Sequence, residues 1–439
     1  MKFKNRLLLF SLIVLISIPS LKSQSLSRRS SWEAKISSPK AGLPGAKIVE
    51  VNSNSPLAKA GFLPNDIIIE VGDVLIKDEE VWSDVSYGLR ADKPTKVKAL
   101  RNADTVIAMV QFNPVEKEKH GGLDTFYEEI TSTYGITQRT IITKPRKNGK
   151  QPAIVLIGGL SCSSIETYPG RKGNWVQTIK DLVEKSGMVV MRIEKPGVGD
   201  SEGDCGQSDF ITDLEGYRAA IKSLKAKPYV DTSKIVVYGS SMGSALAPLL
   251  ANEFELAGVI SDGTFFKTWY EHMLEIERRI LQFNGNTESQ IVEKMNKYYI
   301  PLYYGMLIQK KTYQEVVNEY PALAEYNYHS AAHMYGRPVQ YYQQLQDIDL
   351  AGQWEKVKVP VRILRGTHDW IMSSFDNKMI IEVLERNGHQ DHLLHEYPGL
   401  DHWNTIHENP KNSFEGKEGK WDEGTINIII GWAQEMVGL

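Results

Sequence analysis

The stretch Lys234-Ile235-Val236-Val237-Tyr238-Gly239-Ser240-Ser241-Met242-Gly243 constrains this chain more than any other. A β-branched apolar run of buried-strand length leads into the pattern G-x-S-x-G. Ser244-Ala245-Leu246-Ala247-Pro248-Leu249-Leu250-Ala251 follows, small and apolar at helical spacing. Strand, sharp turn and helix in so few residues force the central serine into a strained backbone conformation. The flanking positions must then be glycine, because a Cβ there would collide with the neighbouring strand or helix. Such a turn lifts the Ser241 hydroxyl above the sheet edge, where a reacting carbonyl can reach it. The pentapeptide also arises by chance, so the partners of a reactive serine decide its meaning.

The first 23 residues read as a targeting segment. Lys2, Lys4 and Arg6 precede the run Leu7 to Ile18, which is apolar apart from Ser11 and Ser17, and small and polar residues follow to Ser23 and Gln24. The run is too short for a comfortable bilayer span, and no cysteine follows it as a lipid anchor would require. Export by a Gram-negative-type cell, to the periplasm or the extracellular space, is expected; an uncleaved anchor is the competing reading. No later stretch is apolar enough to cross a bilayer, so no stable membrane span is expected after processing. With 51 basic and 54 acidic residues the formal charge is −3, which gives no basic footprint for nucleic acid and no disordered polyelectrolyte. The 439 residues exceed one typical domain. The only cysteines are Cys162 and Cys205; an even pair in an exported chain suggests one disulfide.

Residues 31–114 read as a small β-rich module. Ala46 to Val51 is a strand, followed by Asn54-Ser55-Pro56-Leu57-Ala58-Lys59-Ala60-Gly61-Phe62 and then Leu63-Pro64-Asn65-Asp66-Ile67-Ile68-Ile69-Glu70-Val71-Gly72-Asp73. This pattern resembles a PDZ domain of the bacterial protease-associated type. The resemblance implies a helix over Trp82 to Leu89 and a closing hairpin of Lys96 to Leu100 with Val106 to Phe112. It also implies a peptide or protein ligand bound as an added strand. Trp32-Glu33-Ala34-Lys35-Ile36 stands where the carboxylate-holding loop is expected, with Ala34 in place of a glycine and Glu33 carrying the wrong charge. A docking or spacing role is the alternative. The charged stretch Glu116 to His120, ending in Gly121-Gly122, reads as a linker.

Beyond about residue 126 strands and helices alternate. Gln138 to Thr143, Ala153 to Ile157, Met188 to Ile193, the run before Ser241, Ala257 to Ile260, Val361 to Leu364 and His392 to Tyr397 read as strands. Trp175 to Glu184, Phe210 to Leu224 and Ile426 to Met436 read as helices. That alternation argues for an α/β architecture, a mostly parallel sheet with helices on both faces. With its serine turn after the fifth major strand, the segment 126–439 resembles the α/β-hydrolase family. The resemblance implies that the insertion 264–355 is a helical lid. It holds twelve of the twenty tyrosines, most of which must pack within the lid; a few aromatics, with Trp269 and Tyr303 as candidates, would face the serine.

Further motifs carry the same resemblance. Ile157-Gly158-Gly159-Leu160-Ser161-Cys162 stands where the family places the loop that supplies one oxyanion-hole N–H, which implies Leu160 as one donor and Met242 as the other. Glu194-Lys195-Pro196-Gly197-Val198-Gly199-Asp200-Ser201-Glu202-Gly203 is similar to the family's R-G-x-G-x-S-x-G loop, whose role is structural. The family's third and fourth strands are neighbours, which would bring Cys162 and Cys205 together.

A neutral serine needs a histidine to take its proton and a carboxylate to hold that imidazole. The family's chain order is Ser, acid, His. Val361-Arg362-Ile363-Leu364-Arg365-Gly366-Thr367-His368-Asp369 ends in the acid position, so Asp369 is the choice and Asp262, after the preceding strand, the alternative. Tyr397-Pro398-Gly399-Leu400-Asp401-His402 supplies the base, His402. His389, His392, His395 and His407 crowd nearby without a matching carboxylate set, so no metal and no cofactor are expected. The resemblance implies a serine hydrolase of small carboxylic esters. The rival is a serine aminopeptidase of short peptides, which needs lid carboxylates for the substrate amine; Glu271, Glu275 and Glu277 are candidates. A binding protein on a decayed hydrolase fold is disfavoured by the intact Ser-Asp-His order.

Overall fold

The computed structural model describes residues 25–40, 43–102, 104–327, 329 and 333–439. The targeting segment 1–23 lies outside them. The N-terminal module is a sheet in the order Ala34–Ser37, Ala46–Val51, Ile67–Val71, Thr95–Arg101, Asp104–Val110, with the helix Glu79–Gly88 packed against it. Ile48, Leu57, Phe62, Ile68, Trp82, Val97 and Phe112 form its own core. Asp78 caps the helix by accepting from the Val81 N–H, so the helix begins a turn earlier than apolar spacing alone places it. Ala34 lies in an edge strand that, among the described residues, pairs only with Ala46–Val51.

The second unit is built on eight strands: β1 (Leu123–Thr131), β2 (Thr137–Pro145), β3 (Gln151–Ile157), β4 (Val189–Ile193), β5 (Val230–Ser240), β6 (Gly258–Asp262), β7 (Val361–Gly366) and β8 (His392–Tyr397). Their spatial order is β8-β7-β6-β5-β3-β4-β2-β1. From β4 to β8 all neighbours run parallel, while β1 and β2 close the other edge as an antiparallel hairpin.

The helices include α1 (Asn174–Lys185), α2 (Phe210–Lys225), α3 (Met242–Phe254), α4 (Trp269–Phe283), α5 (Ser374–Arg386) and α6 (Gly424–Val437). They divide between the sheet faces as strand alternation requires. Ile154, Leu156 and Val236 point to a core shared with Ile179 and Leu182 of α1 and Ile429 and Ala433 of α6. Val155, Ile157, Ile235 and Val237 point the other way, to Leu214 and Ile221 of α2, Leu246 of α3 and Ile380 of α5. Both faces are covered, so the central runs 153–157 of β3, 189–191 of β4 and 235–238 of β5 are apolar and buried.

The chain between β6 and β7 forms a helical cap that starts with α4 and joins the second of these cores through Met273, Tyr303, Met306 and Tyr342. Trp269 stacks on Tyr342 and meets Phe265 edge-on, and the Tyr303 hydroxyl donates to Glu277 at 2.6 Å. Both aromatics are buried in cap packing.

The charged linker is docked onto the second unit. Glu118 is buried against the fully buried Arg192 of β4, which donates to both its carboxylate oxygens, and Glu118 also accepts from the Thr167 N–H and hydroxyl. The two units are also joined by ion pairs: Arg28 and Arg29 contact Glu166, and Arg28 shares Asp200 with Arg139. Asp200 and Ser201 serve this junction: Asp200 Oδ1 accepts from the Arg29 N–H at 3.0 Å, and the Ser201 carbonyl accepts from the Arg90 guanidinium at 3.3 Å. Removing one member of a buried pair leaves the other uncompensated. Glu118→Ala is expected to destabilise the protein by about 3–5 kcal/mol, read as a lowered urea midpoint, and adding Arg192→Met should recover part of the loss.

Candidate active site

The site is assembled at the carboxyl ends of β3, β5, β7 and β8, the edge where open parallel sheets present their loops. Ser241 follows β5 with φ 53° and ψ −122°, a region that a residue bearing a side chain occupies only when its surroundings enforce it. The flanking glycines show what does. A Cβ on Gly239 would stand 2.4 Å from the Gly243 carbonyl oxygen, and one on Gly243 would stand 2.2 Å from the Ile157 carbonyl oxygen on β3. The turn is pressed so closely onto its own helix and the adjacent strand that only glycine fits on either side. The Ser241 N–H donates to the Asp262 carbonyl at 2.8 Å, tying the turn to β6 as well.

Three residues far apart in the chain meet here. Ser241 Oγ lies 2.9 Å from His402 Nε2, and His402 Nδ1 lies 2.9 Å from Asp369 Oδ2. The other carboxylate oxygen of Asp369 accepts from the Ile371 and Met372 N–H groups at 2.9 and 2.8 Å. Asp369 is therefore held at both ends, and the imidazole it holds is aimed at the serine.

The loop bearing His402 is fixed by its neighbour. Asp401 Oδ1 accepts from the Trp403 and Thr405 N–H groups, while Oδ2 accepts from Ser413 Oγ and lies 3.1 Å from His407 Nε2. His368 Nδ1 meets the His407 carbonyl at 2.9 Å. The histidines crowded near the end of the chain thus have separate structural partners: His389 Nε2 lies 2.8 Å from the Val359 carbonyl, and His395 packs against Tyr397 and Trp432.

Electrostatics separate the two candidate acids. Burial alone would lower the His402 pKa, but the Asp369 carboxylate, by charge and hydrogen bond, outweighs it and the imidazole titrates above the ordinary histidine value. Burial would likewise raise Asp369, and the His402 charge and hydrogen bonds overcome it, so Asp369 stays ionised with a lowered pKa. Asp262 is also buried beside the imidazole, but its side chain pairs with the Tyr238 hydroxyl at 3.3 Å. Burial pushes its carboxyl up to about 7, with the Asp369 charge adding to the rise and His402 opposing it. The geometry therefore selects Asp369 as the carboxylate that orients His402.

Of the two expected N–H donors, Met242 is the residue after the serine and Leu160 is the residue after Gly159. Met242 opens α3 directly after Ser241. Gly159 is so close that a Cβ on it would stand 3.1 Å from Ser241 Cβ. Among the described residues the Leu160 N–H donates to no protein acceptor outside the regular helices and strands. Cys162 and Cys205 are joined in a disulfide that links the loop after β3 to the loop after β4. Sequence reading passed over Lys195 and Arg337, two buried cations behind this loop whose contacts are long-range and leave no local pattern.

The sheet order, the serine turn and the cap define an α/β hydrolase carrying an N-terminal PDZ domain. The family described as "Serine aminopeptidase, S33" matches residues 170–409, more than half of the chain, and the chain belongs to it. A PDZ domain family matches residues 20–111. The chain is similar to Esterase EstD of Thermotoga maritima, 22% identical over 313 residues that cover 70% of this chain and 68% of that one. It is also similar to the alpha/beta hydrolase domain-containing protein WAV2 of Arabidopsis thaliana, 30% identical over 147 residues, 33% of this chain and 44% of that one. Acetyl xylan esterase 1 of Thermoanaerobacterium sp. aligns structurally with a TM-score of 0.43 at 15% identity, over 73% of this chain and 86% of that one.

Asp369→Asn removes the charge that raises the His402 pKa. A two-dimensional NMR titration should then show the His402 imidazole titrating above the usual histidine range in the unmodified protein and at lower pH in the variant.

Proposed function

We propose that this chain is an exported serine hydrolase that cleaves carboxylic esters through an acyl-enzyme. The observation that carries the reading is the unbroken hydrogen-bonded chain Ser241–His402–Asp369, with both links at 2.9 Å. Ser241 Oγ attacks the ester carbonyl carbon while His402 Nε2 takes its proton. Asp369 holds the Nδ1–H and stabilises the imidazolium that forms. The negative charge on the carbonyl oxygen is met by the Leu160 and Met242 N–H groups, the second at the N-terminus of α3. Collapse of the tetrahedral intermediate expels the alcohol, which receives the proton from His402. Water then attacks the acyl carbon with His402 again as base, releasing the acid and restoring the serine. In each step the proton passes only between Ser241, His402, the substrate and water, so no cofactor is invoked.

The rival peptidase reading needs a carboxylate for a free substrate amine, and the three lid candidates have other roles. Glu271 closes a capping box with Thr268. Glu275 pairs with Lys267 and Arg279, and buried Glu277 accepts from Tyr303. The esterase named among the relatives points the same way, whereas the name of the family keeps aminopeptidase as the second reading. Export is supported by the composition of residues 1–23 and by the disulfide, a bond that persists in oxidising compartments. Among the described residues no helix is long and apolar enough to cross a membrane. The PDZ domain supports an extended peptide or protein ligand along its edge strand Ala34–Ser37.

Short-chain p-nitrophenyl esters should be hydrolysed faster than aminoacyl p-nitroanilides, and a fluorophosphonate should label Ser241. Ser241→Ala should lower kcat by about a million-fold; ester hydrolysis surviving that substitution would refute the mechanism. Cleavage of the anilides alone would establish the peptidase instead. On cell fractionation the protein should be found outside the cytoplasm, begin near Gln24 and yield Cys162 and Cys205 peptides joined before reduction; confinement to the cytoplasm with an intact N-terminus and two free thiols would overturn export.

A further inference from the structure

Three consecutive peptide carbonyls behind the serine accept hydrogen bonds from two buried cations. Lys195 Nζ donates to the Gly159 carbonyl and, at 3.1 Å, to the Ser161 carbonyl. Arg337 Nε donates to the carbonyl between them, that of Leu160, at 3.3 Å. The two cations come from different parts of the chain. Lys195 follows β4, whereas Arg337 belongs to the cap inserted between β6 and β7.

Arg337 is itself fixed from several sides. Its guanidinium donates to the Cys205 and Ser208 carbonyls and pairs with Asp213 of α2, and both members of that pair are buried. Cys205 is in turn joined to Cys162, the residue after Ser161. The segment 159–162 is therefore tied on its carbonyl side by an ammonium, a guanidinium and a covalent bond.

In a trans peptide the C=O of one residue and the N–H of the next point in opposite directions. Drawing the Gly159 carbonyl toward Lys195 turns the Leu160 N–H to the other side. Gly159 lies against Ser241, and the Leu160 N–H has no protein acceptor among the described residues outside the regular helices and strands. Lys195 is a costly choice if folding were its only purpose. Burial disfavours its charge, and among the described residues its ammonium hydrogen-bonds to carbonyls and to no carboxylate. An apolar side chain of similar length would avoid that desolvation.

We propose that Lys195 and Arg337 are positioning residues for catalysis: they hold the 159–161 carbonyls so that the Leu160 N–H stays directed at the oxygen that becomes negative when Ser241 attacks. The proposal rests on the serine-hydrolase reading above. Because Arg337 is part of the cap, it also makes the geometry of the oxyanion hole depend on the cap being seated.

The test compares the full-length protein with Lys195→Met and with the double variant Arg337→Met/Asp213→Asn, in which no unpaired carboxylate is left buried. Each is assayed for ester hydrolysis and for inhibition by a short alkyl trifluoromethyl ketone, which adds to the serine and forms an oxyanion, and by the matching methyl ketone, which binds without that charge. Both variants should lose kcat by about tenfold to a thousandfold with KM changed less than about threefold. Affinity for the trifluoromethyl ketone should fall by a similar factor while the methyl ketone is unaffected, and the Tm of Lys195→Met should not drop. Folded variants with unchanged kcat and an unchanged ratio of the two ketone affinities would overturn the proposal. So would a loss of kcat that both ketones follow equally, since that reports general loosening of the site. If the unmodified protein cleaves no ester and Ser241 resists a fluorophosphonate, the enzyme reading falls and the proposal with it. If Ser241 is labelled and the parent protein is active while the variants behave normally, only the positioning role is lost.

Discussion

The close approach of the turn around Ser241 to the end of β3 is the contact on which the rest of the structure depends. Gly243 lies directly against the Ile157 carbonyl, so the start of α3 and the loop leaving β3 share a boundary with no room for one added carbon. That contact makes the serine backbone adopt a positive φ, and it also brings Gly159 alongside the hydroxyl. A parallel sheet supplies the necessary stiffness. β3 and β5 are neighbours in register from Ala153 with Ile235 to Ile157 with Gly239, and a central pair covered on both faces cannot yield locally without disturbing two cores. Backbone strain persists at the serine because the packing around it is over-determined.

Around that rigid centre, charge is used in an unusual distribution. Glu118 with Arg192 and Asp213 with Arg337 are buried pairs, and each spans segments distant in sequence. Buried ion pairs are weak evidence for stability, yet they are demanding in direction, since a guanidinium must meet its carboxylate in one orientation. Here they locate segments: Arg192 fixes the linker, and Arg337 fixes the cap against the loop after β3. The cluster of Arg28, Arg29 and Arg139 on Glu166 and Asp200 does the same between the PDZ domain and the hydrolase domain. Glu166 lies on the loop that begins at Gly158, so the chain that touches the serine at one end meets the PDZ-side arginines further along.

The strands near the serine were legible because they are short, β-branched and apolar on both faces, which leaves little competition from a helical reading. The residues Ser241, Asp369 and His402 could be picked out by their order and by the glycine-bearing turns beside them, but that order contains no distances. The choice between Asp369 and Asp262 was open in the sequence, since both follow adjacent parallel strands. Hydrogen bonding separated them: Asp369 receives two backbone N–H groups and the imidazole, whereas Asp262 turns to Tyr238. Trp269 and Tyr303 were equally ambiguous, because an aromatic on a cap helix has the same local signature whether it faces a cavity or a neighbouring helix. Glu116 to His120 had every mark of a solvated linker, and only the fully buried Arg192 across the fold reveals why Glu118 is there.

From its own residues the chain determined what is local or periodic: the alternation of strands and helices, the glycine-flanked serine turn, the PDZ pattern and the presence of a long helical insertion. These follow from sterics and hydrophobic spacing over a few residues, which act before any distant contact forms. Tertiary structure alone decided which acid meets the imidazole, which cations hold the 159–161 carbonyls and how the two domains are clamped together. Those outcomes depend on hydrogen-bond geometry between segments far apart in the chain: Arg28 and Asp200 are 172 residues apart, and Arg337 and Asp213 are 124 apart. No spacing in a linear sequence encodes such geometry, because it is set by how the sheet places its loops.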